Sequence, residues 1–249
     1  MKFGTLRGWL LGAAAYLIFL LATLPADYVV GWTVRHFPAV QLSGVSGSVF
    51  SGAAQELRYA GRPLGAVEWH FDWLAPFTFA LGYRVRLHGD SSDLQGRIDS
   101  RFGTVYLRSL SGQLPVAALD PWSPLPAHSL EGKLDLQVAQ LSFKGGRLAG
   151  AAGEVDLSEA VLKWPTSYPV GSFRLLLTDA DDGVHATADD VTSPLSLHAE
   201  LSLGPTGAYK LTGTLAAHDP GDAATRNLLA NLGRPDNTGR YPFSFSGQW

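Results

Sequence analysis

The side chains best suited to hold a metal or move a proton are seven histidines, His36, His70, His88, His128, His185, His198 and His218. None has another histidine four residues away, and they do not cluster, whereas metal sites show that pairing or clustering. Their spacing points to surface and strand-edge positions. Thr178-Asp179-Ala180-Asp181-Asp182-Gly183 has the acidity of a calcium loop, but Gly183 stands where the third acidic ligand belongs and no glutamate closes the loop. A hairpin turn built on Asp182-Gly183 accounts for it better. Ser43-Gly44-Val45-Ser46-Gly47-Ser48 lacks the G-x-S-x-G order of a nucleophile elbow, and no G-x-x-x-x-G-K-[ST] phosphate loop occurs. With no cysteine in the chain, thiol catalysis, zinc ribbons and disulfides are excluded. The chain is therefore expected to be no enzyme, with no catalytic residue, cofactor or metal.

One constellation does stand out. Trp69, Phe71, Trp73, Phe77 and Phe79 alternate along a single segment. Their plainest role is the dry face of a sheet; their sharper one is an apolar groove that takes a lipid tail or a partner's strand.

The elements that would position such a groove are strands. Tyr83-Arg84-Val85-Arg86-Leu87 alternates polar with apolar, as do Leu130 to Phe143, Leu195 to Leu203 and Tyr209 to Leu215. Turn signals separate them, at Gly89-Asp90-Ser91-Ser92 and Lys144-Gly145-Gly146 among others. The expected fold is mainly β: an elongated, twisted antiparallel sheet, or an open barrel or groove. Two repeats, about 44–128 and 129–249, are one way to build it, since Leu57, Tyr59, Gly61 and Leu64 match Leu141, Phe143, Gly145 and Leu148 at a displacement of 84. One short helix interrupts the pattern near the C-terminus, with Asp219 as cap, Pro220 in the first turn, Leu228, Leu229 and Leu232 on one face, and Gly233 as terminator. Gly239 to Trp249 returns to alternation and adds a last strand.

Ahead of the β region, Gly8 to Leu24 runs 17 residues without a charge. As a helix it would be about 25 Å long, enough to cross a thin bilayer with Arg7 snorkelling. A cleaved signal peptide is the rival reading. Against it stand the length of the run and a poor cleavage site after Ala26, with Leu24 three places before the cut and Pro25 between. Tyr28 and Trp32 follow where interfacial aromatics belong. Residues 1–7 form a cytoplasmic tail, 8–24 a transmembrane helix, and 33–249 an exported β domain, because Lys2 and Arg7 precede the span and the first acid, Asp27, follows it. In a bacterium this places a single-pass protein in the inner membrane with its β domain in the periplasm. Beyond Arg7 the chain holds 17 of its 19 basic residues against 22 acidic ones, a surface that repels nucleic acid.

In order along the chain, the basic start and span, Gly44-Val45-Ser46-Gly47-Ser48-Val49-Phe50-Ser51-Gly52-Ala53-Ala54, Leu64-Gly65-Ala66-Val67-Glu68-Trp69, and Leu232-Gly233 with Gly239-Arg240-Tyr241 form a recognisable set. The chain thereby resembles the N component of the type II (general) secretion system of Gram-negative bacteria, with Phe50 standing where a second Trp is expected. The resemblance implies an accessory, non-catalytic part of the machine that exports folded proteins. It also implies partners in the inner-membrane platform, notably the L and M components, and in the outer-membrane secretin. A periplasmic lipid-binding or lipid-transfer groove is the alternative.

Overall fold

The structure is a computed structural model and describes residues 24–26, 31, 39–75, 80–118, 129–163, 167–219, 221–230 and 234–248. Every alternating stretch in these residues forms a strand. Thirteen follow one another: β1 (Val40–Gly47), β2 (Ser51–Tyr59), β3 (Arg62–Phe71), β4 (Leu81–His88), β5 (Asp93–Arg101), β6 (Thr104–Pro115), β7 (Leu130–Lys144), β8 (Arg147–Leu162), β9 (Tyr168–Ala180), β10 (Gly183–Thr192), β11 (Leu195–Leu203), β12 (Ala208–Ala217) and β13 (Tyr241–Gln248). They pair in chain order in a single antiparallel sheet. Short connections explain most of this order, because a two-residue tip can only return the chain beside the strand it left; the connections after β3, β6 and β12 are longer. At Ala60-Gly61, Phe102-Gly103 and Gly145-Gly146 both tip residues have positive φ, the turn geometry whose twist matches that of the flanking strands.

The acidic segment does form a hairpin tip, one residue earlier than expected, on Asp181-Asp182. Gly183 is already a strand residue, packed so close to β11 that an added Cβ would lie 2.1 Å from the Leu203 carbonyl oxygen. The sheet bends through bulges where β2 meets β3, β5 meets β6, β7 meets β8, β8 meets β9 and β9 meets β10. Among the described residues β1 pairs only with β2 and β13 only with β12, so the sheet is open.

Register runs unbroken from Thr104↔Lys144 to Pro115↔Lys133, joining the first six strands to the last seven in one sheet. The segments matched at a displacement of 84 fall on β2–β3 and β7–β8, five strands apart. Consecutive strands alternate in direction, so the matched strands run oppositely across the sheet.

One face collects the apolar side chains. Around Ala54, Val67 and Leu87 pack Leu42, Leu57, Trp69, Val85 and Leu94. A second cluster gathers Ala160, Val170, Leu195 and Leu229, with Leu157, Tyr168, Phe173 and Leu215 around it. Leu229 comes from the helix α1 (Ala223–Ala230), which packs on the sheet face at the ends of the later strands. The helix begins later than expected from Asp219. That carboxylate instead accepts from the Gly221 N–H at 2.7 Å, while Asp222 accepts from the Thr225 N–H at 3.4 Å and caps α1. The Thr225 hydroxyl also bonds Asp222 and meets the Tyr168 hydroxyl at 2.5 Å, which accounts for a buried threonine under the helix. Leu232 and Gly233 lie outside the described residues.

No helix among the described residues is long and apolar enough to cross a membrane. Of the expected span 8–24 only Leu24 is described, and Arg7, Tyr28 and Trp32 lie outside the described residues.

Candidate functional site

Alternation puts Val67, Trp69 and Phe71 of β3 on the apolar face, and the register carries that face across the sheet. Val67 sits opposite Leu87, which sits opposite Leu94; Phe71 sits opposite Tyr83, which sits opposite Ile98. Because the sheet is curved and open, these rows line a trough. Within it lies a cavity of about 190 Å³ walled chiefly by Leu57, Val67, Val85, Leu87, Leu107 and Leu110. Gln95 and Arg97 also border it, but its walls are chiefly aliphatic, offer mostly dispersion contact and so suit alkyl groups.

Of the five aromatics expected to line a groove, three are described. Trp69 is half-buried over the trough, and its indole N–H donates to the Ser48 carbonyl at 3.2 Å. Phe71 is buried. Trp73 lies past the end of β3 in a turn and is 62% exposed, so strand alternation ends before it. Phe77 and Phe79 lie outside the described residues. Phe50, absent from the expected set, completes the group: its ring is stacked on Trp73 at 5.2 Å and edge-on to Phe71 at 5.2 Å, while Phe71 is edge-on to Tyr83 at 5.3 Å. In the sequence only the resemblance marks position 50, where a Trp is expected and Phe50 stands.

The opposite face is polar, and its strongest feature lies beneath the turn that carries Trp73. Arg84, Arg97 and Arg108 stand opposite one another on β4, β5 and β6. Like charges in such a row repel. Asp99, only 6% exposed, relieves this by accepting from Arg97 Nε at 3.0 Å with Arg108 Nη1 at 3.7 Å, and Asp72 pairs with Arg97 from the turn. Arg108 also lies 5.0 Å above the Tyr106 ring. Gly82 provides the room, since a Cβ there would lie 2.7 Å from Asp99 Oδ1. Asp99→Ala is expected to destabilise the protein by about 1–3 kcal/mol, less than for a fully buried pair because both arginines are half-exposed. Chemical denaturation reads this, and a value near zero would mean that solvent already screens the arginine row.

Four of the described histidines pair with acids: His198 Nδ1 with Asp189 at 2.6 Å and its Nε2, more distantly, with Glu200 at 3.8 Å, His218 Nε2 with Asp190 at 2.9 Å, His185 Nε2 with Asp182 at 2.9 Å, and His88 Nδ1 with Asp93 at 3.0 Å. The hydrogen bond to Asp189, and then its charge, hold His198 above the usual imidazole range. Burial pushes Asp190 up, but hydrogen bonds from His218 and the Leu197 N–H outweigh it and leave the carboxyl below its ordinary value. Among the described residues no three potential ligands converge on a metal-sized site. These pairs pin neighbouring strands together.

Comparison with known proteins agrees with the resemblance. The sequence profile of the family described as "Type II secretion system (T2SS), protein N" matches residues 38–244. A protein of Aeromonas hydrophila named "Type II secretion system protein N" is 30% identical over 248 residues, covering 94% of each chain. Proteins of the same name are 27% identical in Vibrio cholerae serotype O1, over 84% of this chain and 85% of that one, and 29% identical in Klebsiella pneumoniae, over 96% and 94%. No solved structure gives a significant match. A match over most of the chain, on an open β trough, makes this protein a member of the type II secretion system protein N family.

Proposed function

We propose that the protein is an accessory interaction component of the type II secretion system. Gly8 to Leu24 anchors it in the inner membrane, and the β domain docks in the periplasm onto the L and M platform components and the secretin. The observation that carries the docking reading is the open sheet. Among the described residues β13 has one side free of strand pairing, and its backbone groups there can receive a strand from another protein. Affinity purification of the full chain from mildly solubilised membranes tests this. Platform components should co-purify with it; their absence, together with undiminished secretion from cells lacking the protein, would refute the reading.

The apolar cavity favours a second reading, a groove that binds or transfers lipid. Walls that are chiefly aliphatic suit an acyl chain. Mass spectrometry of the gently extracted protein should then find a lipid in stoichiometric amount, and repeated preparations free of lipid would remove this alternative.

A further inference from the structure

Antiparallel order sends the strand connections alternately to two rims of the trough. One rim carries the β1–β2 tip, the turn after β3, and the β5–β6 and β7–β8 tips. In its N-terminal half this rim is unusually apolar: Trp73 is 62% exposed, Leu74 72%, Leu81 59% and Phe102 89%. Isolated exposed hydrophobics need no account, but a row of them along one rim does.

These side chains are held outward. Asp72 accepts from the Leu74 N–H at 3.0 Å and from the Ala75 N–H through its carbonyl at 3.0 Å, while its own N–H donates to Gly82; the turn is built, and Trp73 is stacked on Phe50. Phe102 is more telling. It occupies the first central position of the β5–β6 turn with φ of +47°, where glycine, asparagine or aspartate is the favoured residue. Neither turn chemistry nor contact with water favours a phenylalanine there.

The same rim receives the start of the described chain. The Val49 N–H donates to the Leu24 carbonyl at 3.1 Å, and Pro25 bridges to Ser48. Leu24 is the last residue of the uncharged run, and it meets the β domain at the rim bearing the exposed apolar residues. Basic side chains flank it: Arg101, beside Phe102, and Lys144 and Arg147 at the next tip on this rim are exposed, with no acidic partner among the described residues. Further along, the rim turns acidic at Asp181 and Asp182.

We propose that the N-terminal half of this rim lies in the lipid surface of the membrane from which Gly8–Leu24 emerges, with Trp73, Leu74 and Phe102 in the interface and Arg101, Lys144 and Arg147 at the headgroups. Apolar wedges combined with basic side chains are the chemistry that recognises an anionic bilayer surface. The trough would then open towards lipid rather than towards water. This rests on the anchored reading above.

The cysteine-free chain permits a clean test. Single cysteines at Leu74 and Phe102, and at Ser91 on the opposite rim as reference, are spin-labelled in the full chain reconstituted into phosphatidylethanolamine–phosphatidylglycerol vesicles. Labels at both Leu74 and Phe102 should collide severalfold more with oxygen, relative to a water-soluble nickel chelate, than the label at Ser91. Retention of the chain in alkaline-washed vesicles with all three labels equally open to the chelate would overturn rim docking alone. Release of the chain by the alkaline wash would overturn the anchor, and rim docking with it.

Discussion

Leu229→Ala is expected to lower the stability of the protein by about 2–5 kcal/mol, the range for emptying a buried leucine site. Leu229 is 2% exposed and joins α1 to Ala160, Val170 and Leu195 on three different strands. The loss would have two parts, the transfer of the leucine methyls back to water and the cavity left against a sheet that cannot follow the helix inwards. α1 has eight residues, too few to be helical without this packing. The substitution should therefore loosen the whole helix and expose the Thr225–Asp222–Tyr168 hydrogen bonds beneath it. Chemical denaturation of the full chain in detergent, with amide exchange at 223–230, is the check. Parent-like stability would show that the sheet face holds without its helix.

Gly112→Ala should be comparably damaging, at roughly 3 kcal/mol or more, through the backbone rather than the core. Gly112 has φ of +130°, and a Cβ added there would sit 1.9 Å from the Asp93 carbonyl oxygen of the paired strand. No rotamer change relieves a clash with backbone, so β5 and β6 would have to part near the bulge that helps curve the sheet. Because this bulge borders the trough, loss of stability should be accompanied by altered curvature. A Gly112→Ala protein with unchanged melting behaviour would mean that the two strands slide past one another freely.

Strand identity was legible because its signal is local: a period of two, with turn residues between runs, needs no partner to be seen. The terminal helix was legible in kind but not in position. Asp219 was the expected cap, but Asp222 takes that place because the Thr225 hydroxyl reaches both Asp222 and, across 57 residues, Tyr168. The aromatic groove was half visible. Trp69 and Phe71 obey alternation, but Asp72 ends the strand by capturing Leu74, and Trp73 turns to Phe50 instead. Asp99 was illegible, since its alternation points it outwards and its burial arises from the turn after β3 and from arginines on two strands. An open sheet or groove was among the expected folds, but the number of strands and their unbroken chain-order pairing were not, because pairing depends on partners distant in sequence.

Docking of the open sheet onto the secretion machine by its free edge is tested by site-specific photocrosslinking in secreting cells. A photoreactive residue replaces Ser246 on β13, and another replaces Gln137 in the middle of the sheet as reference. The prediction is a crosslink from position 246 to a platform component or the secretin, with none from position 137. Capture of such a component from position 137 with position 246 silent would contradict edge docking.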